Sequence, residues 1–122
     1  MPTLTEGFHA GEWLISDNGP RSRDAVTVTA ALNTKIPTGT VLGKITATGK
    51  YVAHNNGAAD GSQTAVAVLI YDIDSGPARD VKAAVYARDA EVWGAMLNGG
   101  AGIASTPDVV AELDARGIVV RA

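Results

Sequence analysis

The chain has 122 residues, 13 acidic and 10 basic side chains, a formal net charge of -3 and no cysteine. That length suits one domain, the charge offers no basic footprint for nucleic acid or an anionic membrane surface, and the lack of cysteine excludes disulfides and thiolate-held metals. Hydrophobic residues at 46% and charged residues at 19% are the balance of a globular chain, not a disordered one.

No apolar run approaches the roughly 20 residues needed to span a bilayer. The N-terminus lacks the basic region and apolar stretch of a secretory signal. With disulfides absent, synthesis in a reducing cytoplasm is the expectation. Fourteen glycines, with many Thr and Val, favour a β-rich fold with many turns. One Phe, three Tyr and two Trp leave small side chains to fill the core, so oligomerisation is expected to add stability.

In chain order, residues 1–25 mix glycines with charged residues around one apolar island, Trp13-Leu14-Ile15. They read as an N-terminal arm, with a β-rich domain over 26–122. Val26-Thr27-Val28-Thr29 alternates as a half-buried strand does. Pro37-Thr38-Gly39 is a turn. Val41–Thr46 and Lys50–Ala53 flank Thr48-Gly49 as a hairpin, and Asn55–Ser62 is a polar loop. The run Ala65–Tyr71 does not alternate, which predicts a strand covered on both faces. Asp72–Arg79 reads as a loop. Val81, Ala83, Val85 and Ala87 share one face of the next strand, and Glu91-Val92-Trp93 forms a short neighbour. Thr106-Pro107-Asp108 starts a helix of about three turns, with Val109, Val110 and Leu113 as its apolar face and Gly117 as its stop. Ile118-Val119-Val120 is a terminal strand.

Taken in order, HAGEWLISDNGPRSRDAVTV, TVLGKITATGKYV, DGSQTAVAVLIYDID, DVKAAVYARDAEVWGAML and GIVVR resemble the lambda-type bacteriophage head decoration protein family from His9 to Arg121. One departure stands out. Better-known members carry a Trp-Pro pair where this chain reads Leu97-Asn98-Gly99-Gly100. The resemblance implies an α+β, β-rich fold: a small mixed β-sheet or barrel-like domain with one short C-terminal helix behind an extended arm. It also implies a capsid cement protein that sits as a homotrimer on the outer surface of the expanded virion shell. There it would bind the major coat protein through the arm and stabilise the shell against internal DNA pressure. Neither nucleic acid nor membrane is an expected partner.

Trp13, Leu14 and Ile15 are the candidate capsid contacts, set against the alternative that the island folds back as an edge strand of its own domain. Arg21 and Arg23 join them as partners for coat carboxylates, or form a solvated, locally paired group with Asp17 and Asp24. Tyr86 and Trp93 lie in apolar strands, as core or as trimer interface. No cofactor, metal or catalytic residue is expected. His9 and His54 lack ligand spacing. A calcium loop begun at Asp72 would need Gly and Glu where Pro77 and Ala83 stand. Asp89 and Glu91 have no evident cleft to perturb them, and no nucleophile elbow or P-loop is present. A tail or baseplate accessory protein and a small ligand-binding β domain are the rival functions.

Overall fold

A computed structural model describes residues 13–55, 57–97 and 107–121. Among them lie ten strands in three sheets and one α-helix, the β-rich α+β class that the glycine, threonine and valine content predicts.

The body is a closed five-stranded barrel in the order β2-β5-β4-β6-β8. Its strands are β2 (Arg23–Thr29), β4 (Val41–Lys44), β5 (Tyr51–Ala53), β6 (Ala65–Leu69) and β8 (Asp80–Tyr86). β2 and β8 run antiparallel over seven residues, from Arg23 opposite Tyr86 to Thr29 opposite Asp80. The hairpin is β4 against β5. Closure comes from one parallel pairing, Val28 with Tyr51. Gly43 in β4 passes so close to Ser62 that an added Cβ would lie 2.6 Å from the Ser62 Cα, so the barrel wall there admits no side chain.

Against the barrel packs a three-stranded sheet of β1 (Leu14–Asp17), β9 (Ala90–Trp93) and β10 (Ile118–Arg121), with β9 in the middle. β1 runs antiparallel to β9 and β10 runs parallel to it. The helix α1 (Pro107–Asp114) precedes β10. A two-residue ribbon of β3 (Lys35–Ile36) and β7 (Ile73–Asp74) closes one side.

Two buried clusters follow from this layering. Val28, Leu42, Ala67, Leu69, Ala83 and Val85 fill the barrel interior. Trp13, Val41, Val68, Tyr86, Val92, Leu97, Leu113 and Ile118 fill the space between barrel, sheet and helix. β6 contributes to both clusters and is buried at all five positions, which is why its sequence does not alternate. At its first residue the Ala65 N–H donates to Glu112 Oε2 of α1, tying the helix to the barrel wall. Gly117, at φ 78°, turns the chain from α1 into β10, the left-handed position that favours glycine after a helix.

Three expectations need correction. Residues 13–25 are part of the body rather than an arm: they form β1, a 3-10 turn at Gly19–Ser22 and the start of β2, and Trp13 is fully buried. Any free leader therefore belongs to the residues ahead of Trp13, outside the described set. Asp72–Arg79 is not wholly loop, because Ile73 finds Ile36 as a strand partner. The helix is described over Pro107–Asp114, and its expected N-cap Thr106 lies outside the described residues. Val110 is exposed while Val109 and Leu113 are buried, since adjacent helical residues point about 100° apart.

Candidate functional site

The candidate contact residues fall around one strand. In β9, Ala90 and Val92 are buried, so Glu91 and Trp93 face away from the core, as strand alternation requires. Trp93 is 43% exposed. On one side of it the Trp93 N–H donates to the Trp13 carbonyl at 2.7 Å. On the other side Arg121 of β10 stands opposite it in register, and the Arg121 guanidinium donates to Glu91 at 3.2 Å. Ile15, 38% exposed, sits where the β1 register shifts between Leu14 and Ser16. This extra residue on an edge strand is a β-bulge, a device that re-aims a side chain and blunts the edge. The outward face of the sheet thus offers Ile15, Trp93 and the half-buried Val119 beside an ion pair.

Trp13 points the other way. Its Nε1–H donates to Thr38 Oγ1 at 2.9 Å, and Thr38 Oγ1 in turn donates to the Ile70 carbonyl. Its ring meets Tyr86 edge-on, with centroids 5.6 Å apart and planes at 84°, a favourable aromatic geometry. Gly39, at φ 80°, lies under the indole: a Cβ there would stand 2.9 Å from Trp13 Cδ1. Leu14 is half-buried against the same cluster. Of the island, only Ile15 is available to a partner in this state.

Arg23 and Tyr86 are joined through Asp17. The Tyr86 hydroxyl donates to Asp17 Oδ2 at 2.7 Å, Arg23 donates to the same oxygen at 3.3 Å, and the Gly19 N–H caps Oδ1. The Tyr86 hydroxyl, then the Gly19 amide and Arg23, hold the Asp17 carboxyl below the usual carboxylate range. Burial, reinforced by the hydrogen bond to Asp17, pushes the Tyr86 phenol up. The Arg23 guanidinium also lies 5.6 Å from the Tyr86 ring centroid. Tyr86 is therefore core, and Arg23 is held by neighbours in its own chain. Arg21 is exposed, and its carbonyl accepts from Arg88, which pairs with Asp24. Ser22, fully buried, accepts from the Asn18 N–H and donates to the Asp89 carbonyl.

The shifted carboxylates are explained by structural partners: Tyr86 for Asp17, Ser62 for Asp60 and Lys50 for Asp80. Perturbed groups that signal chemistry converge in a cleft instead. His54 Nε2 lies 2.9 Å from the Gln63 carbonyl and 3.7 Å from Glu112. His9 and Leu97's successors Asn98 to Gly100, where the family's Trp-Pro pair is replaced, lie outside the described residues. An open cleft of about 420 Å³ beside the β3–β7 ribbon is lined, among the described residues, by Lys35, Ile36, Pro37, Asp72, Ile73 and Asp74, without an aromatic among them. No group of metal-binding side chains occurs among the described residues, and none of the described helices is long and apolar enough to cross a membrane.

No curated protein matches the chain. A family model described as Bacteriophage lambda head decoration protein D matches residues 3–118, which takes in the barrel, β1, β9, the helix, the first residue of β10 and most of the segment ahead of Trp13. It is a family of structural proteins of the phage head, whose place is the virion capsid. With nearly its whole length matched, the chain belongs to the bacteriophage lambda head decoration protein D family.

Proposed function

We propose that the chain is a cement protein of the outer capsid surface. It binds expanded shells as a homotrimer and stabilises them against internal DNA pressure without performing chemistry. The family match over residues 3–118 is the observation that carries this reading. The leader ahead of Trp13 grips coat subunits, and the exposed face at its root, Ile15 and Trp93 with Arg121 beside them, supplies the adjoining contact, while the exposed Arg21 in the turn after β1 is a separate candidate. Interfaces commonly centre on an aromatic anchor with an arginine nearby. A segment that orders on docking meets its ordering cost only then. Three leaders on one rigid body raise the effective concentration of the second and third contacts, which offsets that cost. A ligand selective for the expanded lattice stabilises that lattice by linkage.

The test is co-sedimentation of the purified protein with expanded undecorated shells, with unexpanded shells and with tails. Binding to expanded shells alone, together with a rise in the temperature at which the shells rupture, is expected. Binding to tails instead would transfer the protein to the tail or baseplate. Deleting residues 1–12 should abolish shell binding and leave a folded body, whereas undiminished binding by the truncated protein excludes the leader mechanism. Trp93→Ala and Ile15→Asp should weaken shell binding with little change in thermal stability.

A further inference from the structure

We infer that Trp13 is the mechanical anchor of the leader, a positioning residue that passes tension from the docked segment into the core of the body. The inference takes its purpose from the capsid-binding reading above, but the lock itself is a property of the isolated protein.

Trp13 is the first described residue of the body, so a pull applied at the N-terminus enters the described fold there. The strand that follows is poorly suited to resist alone. β1 has four residues, lies at a sheet edge and carries a register shift between Leu14 and Ser16. Strain applied at its N-terminal end could part such a ladder one hydrogen bond at a time. Trp13 opposes this with contacts to separate parts of the fold. Its carbonyl accepts from Trp93 in β9. Its indole N–H is held by Thr38 in the turn between β3 and β4, and Thr38 is held in turn by the Ile70 carbonyl and by Asp72, which accepts from the Thr38 N–H at 2.6 Å. Its ring lies across the edge of Tyr86 in β8. The slot exists because position 39 has no Cβ. To leave, the indole must come out of a fully buried site, losing its hydrogen bond and its packing in the same step. β1 therefore stays seated until the barrel and the sheet yield with it.

Single-molecule pulling of the full chain tests the anchor. One handle goes on the N-terminus. The other goes on Thr48→Cys, in the exposed turn between β4 and β5, a unique site because the chain has no cysteine. In the otherwise unaltered protein, β1 and the barrel should come apart in a single high-force event. In Trp13→Ala and Gly39→Ala, an early low-force extension that frees the chain through Asp17 should precede it. Should Trp13→Ala fail to fold, Trp13→Phe, which keeps a ring and loses the N–H donor, is expected to give an intermediate force. Val85→Ala, a barrel-interior cut in the other cluster, lowers overall stability without touching the lock and should not create the early step. An early step already present before substitution would overturn the anchor. So would an unchanged single event in both lock variants, or the same early step in Val85→Ala. Because no shell takes part, failure of capsid binding and failure of the anchor are read separately.

Discussion

Truncating Trp13 separates a core residue from a surface contact by magnitude. Trp13→Ala removes a fully buried ring, and such truncations cost about 3–5 kcal/mol. The edge-to-face contact with Tyr86 and the hydrogen bond to Thr38 belong to the same event and are not added in full, since neighbouring terms overlap. Thr38 Oγ1 keeps the Ile70 carbonyl as a partner, so the variant leaves no orphaned hydroxyl and about 4 kcal/mol is the central expectation. For a domain of this size each kcal/mol lowers the melting temperature by about 3–5 °C, so Trp13→Ala should melt about 12–20 °C below the parent. Native stabilities are about 5–15 kcal/mol, so the variant should still fold at low temperature. Ile15→Asp, at a position 38% exposed, should stay within about 1 kcal/mol of the parent. Circular dichroism melts and urea titrations of the two variants side by side provide the measurement. Equal melting temperatures for parent and Trp13→Ala would refute the placement of the ring in the core and return the island to a free arm.

Gly43→Ala should prevent barrel closure or cost several kcal/mol, about the upper range for a single substitution, because the new Cβ would meet the Ser62 backbone; expression of a parent-like, cooperatively melting variant would contradict the register of β4. Ser22→Ala removes a fully buried hydroxyl that serves both the Asn18 N–H and the Asp89 carbonyl, and should cost about 1–3 kcal/mol in urea titration. The Asp17 carboxyl, held low chiefly by the Tyr86 hydroxyl, binds its proton less readily folded than unfolded. Its contribution is complete above the unfolded value near about 3.9 and is lost as pH falls through the lower folded value. The stability gap between the parent and Asp17→Asn should therefore narrow on acidification below about pH 4, and a gap independent of pH would rule out that role.

Local signals carried much of the fold. The alternation of Val26–Thr29, the hairpin about Gly49, the unbroken apolar run of β6 and the Gly117 stop each depend on residues close in sequence, and each marks an element of the body. Trp13 could not be read this way. Its slot is made by Thr38 and Gly39, Tyr86 and Trp93, all distant in sequence, and three apolar residues are too few to display a period. β7 was hidden for the same reason, since a two-residue strand exists only through its pairing with β3. Trp93 was more accessible: once Ala90 and Val92 are taken as inward, parity turns Trp93 outward, so its composition suggested core while its position in the strand indicated surface. The signal for the exposed face at the leader's root lay in that alternation.

Trp93 has Trp13 bonded on one side and Arg121 in register on the other. The backbone thus enters and leaves the described body within one sheet, on the two flanks of a single strand. A short flexible linker could join those two points, and the chain could be reopened at the exposed Thr48-Gly49 turn with the barrel and sheet order preserved, since circular permutation is tolerated where ends lie close and the new break is solvent-exposed. Such a rearranged molecule would keep every layer of the fold while displacing the leader from its root, separating what the body contributes from what the attachment point contributes.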